Sequence, residues 1–234
     1  MERLAGDSQV ALVLEHRNVK RINITVRWDG SIKVTMPLWM NEQVIGEVLE
    51  RRRRWIERKL EEMRVRRERF PSCYQFKEGE IFWIFGHAAV LQVLEGDEEE
   101  VIVKDGALQI RVPGREPEKV RAALVRWYKK QALKAVEERV DEFSPLLGIR
   151  PEGIELGEWK RKWGVCEVPG RIVKFNWRLA QLPDELIDFI VVHELAHLSH
   201  PRHGKNFWHN IKRVLPDYAS RREALKEWSG ALMW

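Results

Sequence analysis

At 234 residues, 44% hydrophobic and 33% charged, the chain has apolar material for one sizeable core or two small ones without help from disulfides. Its two cysteines, Cys73 and Cys166, stand far apart in unlike contexts, which excludes a disulfide framework and a C-x-x-C metal site and suggests a reducing compartment. The net charge of +5 is concentrated, since Arg51 to Arg69 alone holds ten Arg or Lys against four Glu.

The opening segment places Glu2 and Asp7 where an export signal needs positive charge. No apolar run approaches the ~20 residues that span a bilayer, so the chain reads as cytoplasmic. Strand patterns begin at VALVLEH, continue through the alternating run Arg21 to Arg27, turn at Asp29-Gly30 and resume in SIKVTMP. Asn41 has the character of an N-cap, and apolar residues then recur at helical spacing through Val44, Val48, Trp55 and Leu60. One long, very polar helix is predicted over about 41–69, stopped by Pro71 and Ser72. EIFWIFGHAAVLQVLEG and EEEVIVKDGALQIRVPG predict further antiparallel strands and hairpins. From Pro117 to Phe143 no Gly or Pro interrupts a three-and-four repeat through Val120, Leu124, Trp127 and Ala135, which predicts a second long helix. Beyond Pro145 come a short strand around IELGEW, a turn near Trp163-Gly164 and a strand through RIVKFNW. Pro183 and Asp184 open the next helix, with Asp184 placed to cap it and Glu185 favourable against its dipole. It is expected to end near His200, because Pro201 disfavours helical geometry in the residue before it. Two last helices fit Lys205 to Val214 and Tyr218 to Trp228.

The helix opened by Pro183 carries His193-Glu194-Leu195-Ala196-His197, a spacing that puts two imidazoles one turn apart on one face, within reach of one ion. Glu194 follows the first ligand by one residue, so it lies about 100° round the helix and can act on a water at the metal without ligating it. Three protein ligands leave the fourth position open, as catalysis requires. The third is expected to be His203. His200 shares the face of His193, but on one straight helix the two Cα atoms would stand roughly 10 Å apart, and three imidazoles in a row do not close round an ion with bonds of about 2 Å. The chain must turn back, and Pro201 permits the turn. In metzincins, too, the third histidine follows the second by six residues after a turn.

The segments KWGVC, FNWRL and VVHELAHLSHPRHGKNFW, between Lys162 and Trp208, resemble the YgjP-like metal-dependent hydrolases, grouped near SprT-like and WLM-type zinc proteases. The resemblance extends upstream to the basic helix with WIERKL and the Gly-rich strands after it. It implies a zincin-like catalytic half with His193, His197 and His203 as ligands and Glu194 as acid and base, preceded by a β-rich portion joined by helices. Where the family shows a serine between the Gly and Cys of its WGSC segment, this chain has Val165, so no role for that hydroxyl carries over.

Other residues are weaker candidates. Cys166 reads as a small buried hydrophobe rather than a nucleophile. Lys160, Arg161 and Lys162 either line a substrate groove or are merely solvated. His209 reads as a surface residue, and His16 and His87 stand apart in strand contexts. The helix from Arg51 to Arg69 reads as a solvated face laced by Glu–Arg pairs, with a nucleic-acid or other acidic partner as the less favoured alternative. The expectation is therefore an α+β protein, with a β-rich region over 1–115 and a zincin-like metal-hydrolase domain over 116–234. It would use Zn2+ on peptide or unfolded-protein substrates. Two alternatives stand beside it: a metal-dependent nucleoside triphosphate pyrophosphatase, and a nucleic-acid or acidic-partner binding protein with a structural metal.

Overall fold

A computed structural model describes residues 10–27, 29–70 and 74–233. Glu2, Asp7, Pro71, Ser72 and Cys73, on which parts of the sequence reading rest, lie outside these. The protein is α+β, and it divides into two compact units, Met1–Pro71 and Ser72–Trp234. Residues 115 and 116, where the sequence reading places a boundary, lie within the second unit, between a strand and the helix that follows it.

In the first unit, strands β1 (Leu12–Arg17), β2 (Asn23–Val26) and β3 (Ile32–Pro37) form a sheet in the order β1-β3-β2. The expected hairpin pairs Val26 with Ile32, and its turn is fixed by a bond from Ser31 N–H to Asp29 Oδ1 at 2.8 Å. Alternate residues Ile32, Val34 and Met36 are buried, as a period of two dictates, and pack on Ile45, Leu49 and Ile56. Asn41 accepts from Gln43 N–H at 2.9 Å and opens the helical segment. The single helix expected over 41–69 is divided at Arg52 into α1 (Ile45–Arg51) and α2 (Arg53–Arg69). The break falls where no side chain between Leu49 and Ile56 is buried and four cationic residues follow one another. Glu–Arg pairs lace the surface, among them Arg53 with Glu50 and Glu57, and Arg64 with Glu61 and Glu68.

The second unit begins with β4 (Ile81–Ile84), β5 (His87–Glu95), β6 (Glu100–Lys104) and β7 (Ala107–Val112), ordered β4-β5-β7-β6. Two antiparallel hairpins are present as expected, but they join through a parallel β5–β7 pair. Burial explains the order. Leu108, Ile110 and Val112 of β7 are buried, so it takes the interior position beside Ala89, Leu91 and Val93, whereas mostly exposed β6 takes the edge. Helix α3 (Pro117–Leu147) lays Val120, Ala123, Leu124, Tyr128 and Ala132 on this sheet. It outlasts the predicted end at Phe143 because Pro145 stands in the last turn, where it forfeits a single hydrogen bond. Gly148, left-handed at φ 68°, closes the helix.

A second sheet has the order β8-β10-β9, from β8 (Gly153–Gly157), β9 (Gly164–Glu167) and β10 (Ile172–Asn176). The predicted turn at Trp163-Gly164 is in fact the entrance to β9. Then follow α4 (Asp184–His197), α5 (Lys205–Val214) and α6 (Tyr218–Glu227). Asp184 does not cap α4: Pro183 holds the N-cap position, and the Asp184 carboxylate binds Arg139 at 2.7 Å. Helix α4 is buried along most of its length and packs on α3, α5, α6 and β9. Among the described residues no helix is long and apolar enough to cross a membrane.

Candidate metal centre

One partly buried carboxylate, held by two arginines, seats α4. Asp188 binds Arg139 of α3 at 2.7 Å through one oxygen and Arg221 of α6 at 3.1 Å through the other. One turn further on, His193 and His197 leave the helix on the same side. The last α-helical residue is His197, with Leu198–His200 continuing as a turn in which His200 N–H still reaches Ala196 O at 2.9 Å. The chain then reverses through Pro201–Gly204 and returns as α5. Neither His200 nor Gly204 is left-handed; Gly204 has φ −81°, so the freedom of glycine is not what makes this turn.

The return brings His203 back to the helix. One ligand atom from each of His193, His197 and His203 lies within 4.8 Å of the others, the one such group of three among the described residues. His203 Nε2 and His193 Nε2 face each other at 3.1 Å, close to the ~3.3 Å separating two nitrogens that hold one ion tetrahedrally with ~2.05 Å bonds. His193 Nδ1 is buried without a partner. Burial and the neighbouring imidazoles push His193 down to about 3, and burial likewise lowers His197, so both rings are neutral at pH 7. Neutral imidazoles with converging lone pairs are what a borderline-soft dication binds, so the residues present fit a metal. His197 Nδ1 lies 3.2 Å from the carbonyl oxygen of His200, and an N–H donated there turns Nε2 toward the other rings. Fully buried Phe207 packs against all three imidazoles with ring centroids 4.6 to 5.0 Å away.

Glu194 is not part of the nitrogen cluster. Its carboxyl is buried, and burial pushes it up to about 7 while the Lys162 charge draws it down. Across from it stands Gly164, where a Cβ would meet Glu194 Cγ at 2.6 Å and its carboxyl carbon at 2.9 Å. The sequence reading missed this role, although a glycine beside a strand signals close approach of another group. Gly164→Ala should displace the carboxyl by a few tenths of an ångström to an ångström and lower turnover by up to about 100-fold while metal content stays unchanged. Parallel measurement of kcat and bound metal checks this, and wild-type kcat would show that the clearance is unnecessary.

Fully buried Asn176 was also missed. Its side chain donates to Trp159 O at 2.7 Å and Lys162 O at 3.0 Å, pinning the loop that leads into β9. Arg178 holds the same loop through Glu158 at 2.9 Å. Of the loop's three cations, Lys162 borders a cavity with Glu194. Cys166 is half-buried, and burial with the nearby Glu194 charge pushes its thiol up to about 11, away from nucleophilic thiolate. His209 is exposed on α5, and His16 and His87 lie on β1 and β5, outside the imidazole group.

Residues 20–228 match the family model described as YgjP-like, metallopeptidase domain. No curated protein matches the chain. Among solved structures, it is similar to the metallopeptidase zymogen abylysin of Pyrococcus abyssi, with 20% identity over 38% of this chain and 90% of that one and a TM-score of 0.37. Jannalysin of Methanocaldococcus jannaschii, also a metallopeptidase zymogen, matches at 19% identity over 39% and 94%, with a TM-score of 0.36.

Proposed function

The chain belongs to the YgjP-like metallopeptidase family, and from that premise we propose a zinc-dependent peptidase whose metal is held by His193, His197 and His203 and whose general base is Glu194. One observation carries the reading: three imidazole nitrogens within 4.8 Å of one another stand beside a buried carboxyl that belongs to none of them. A zinc ion bound there supplies Lewis-acid polarisation of the scissile carbonyl and acidifies a water. Glu194 takes the proton of the attacking water and passes it to the leaving amine, which its place one residue after His193 allows. Phe207 keeps bulk water from the far side of the imidazoles and holds their rings in place. A peptide substrate has a natural seat on β9, which among the described residues pairs with β10 on one side only and so offers the backbone groups of its other edge to an extended chain.

The test joins metal analysis of the purified protein to a panel of unfolded protein, peptides and nucleoside triphosphates, before and after chelation. About one zinc per chain is expected, with cleavage of the unfolded protein lost on chelation and restored by zinc. Proteolysis by the metal-free preparation refutes the reading, and turnover confined to the nucleotides replaces it.

A further inference from the structure

Helix α4 borders a cavity of about 210 Å³ that runs from Phe189 to His193 and Glu194 and extends beyond the groups that carry out the hydrolytic step. Phe189 and Ile190 of α4 form its floor, Leu225 of α6 one wall, and Trp163 the other, where the chain enters β9. His193 and Glu194 line the end nearest the imidazole group, and Lys162 lines the same space. Resting on the peptidase reading above, we propose that this cavity receives an apolar side chain of leucine to phenylalanine size from a residue flanking the scissile bond, with Leu225 setting its size limit and Lys162 disfavouring cationic side chains.

Volume, lining and position each support this. A cavity of about 150 Å³ lined by aliphatic and aromatic side chains accommodates benzene, so 210 Å³ holds a branched aliphatic or a phenyl group. Phe189 and Ile190 are nearly fully buried, so the floor is packed in place before any ligand arrives. A polar side chain entering it would lose water and find few partners. Glu194 is shared between the cavity and the hydrolytic centre, which places the occupant next to the bond being cut and not at a remote subsite. A peptide extended along β9 sends successive side chains to opposite faces, and one of each pair faces α4. Lys162 is exposed and its backbone is pinned by Asn176, so its positive charge stays by the cavity and repels lysine or arginine.

The experiment has two arms. In the first, peptides identical except at the two residues flanking the cleaved bond are compared by kcat/KM for the wild type and for Leu225→Trp, a change at a half-exposed site that the fold should tolerate. Leucine or phenylalanine at one flank should exceed alanine by about 10- to 200-fold. Lysine should rank last, and the variant should prefer alanine. In the second arm, hydroxamates bearing methyl, isobutyl or benzyl groups are titrated calorimetrically into the zinc-loaded protein, which reads the cavity without any turnover. The wild type should favour isobutyl and benzyl by at least tenfold, and Leu225→Trp should erase the difference. Hydroxamate discrimination with no peptide cleaved defeats the peptidase reading and leaves the cavity assignment standing. Peptide cleavage with no side-chain preference, equal affinities for the three hydroxamates, or no hydroxamate binding overturns the assignment.

Discussion

Glu194→Gln should leave the metal in place and lower peptide hydrolysis by about 10²- to 10⁴-fold, the contribution of a positioned general base. The amide keeps the shape of the side chain, and shape matters at a site where the carboxyl is packed against Gly164. Charge loss should be tolerated by the fold, because burial already disfavours the ionised form of Glu194. A dication held by the three imidazoles would draw that carboxyl back toward the ionised state and make a base available at neutral pH. The metal would have no reason to leave, since the donors proposed for it are the three imidazoles. Metal content and kcat measured on the same preparation separate the outcomes. Loss of both would make Glu194 a ligand or a structural prop, and a drop of only a fewfold would remove it as the base.

The part of the site that lies on one helix was legible in the sequence, because the period of α4 fixes where residues 193, 194 and 197 stand relative to one another. The convergence of His203 was legible from a length argument, with Pro201 marking the reversal. What could not be read is what comes from afar. Gly164 meets Glu194 across 30 residues of sequence, and the arginines that seat α4 through Asp188 come from α3 and α6. No local pattern encodes such pairings. The same limit explains the parallel β5–β7 pair: each hairpin has local turn signals, whereas the join between hairpins is settled by which strand has the larger apolar face. Local chemistry misled at Pro145 and Asp184. The helix tolerated a proline in its last turn, and a distant arginine claimed the carboxylate expected to cap.

His203→Ala should strip the protein of zinc, while His200→Ala should keep it, although His200 is nearer in sequence to the pair on α4. The two residues do different work. His203 presents its Nε2 to that of His193 at 3.1 Å, and its ring centroid stands 4.7 Å from that of His197. His200 contributes through its backbone: its N–H continues the helix to Ala196 O, and its carbonyl faces His197 Nδ1 at 3.2 Å. Alanine at 200 retains both backbone groups, so the orientation of His197 survives. Alanine at 203 leaves only His193 and His197, and a two-imidazole site lacks the third protein ligand found in catalytic zinc centres. Loss of even an orienting partner outside the ligand set weakens metal binding by about 10- to 100-fold, and loss of a ligand should exceed that. Zinc per chain, measured after dialysis of both variants against the same buffer, decides the matter. Retention in His203→Ala with loss in His200→Ala would overturn the ligand assignment. Loss in both would mean that the turn from His197 to Gly204 needs the His200 ring as well as its backbone.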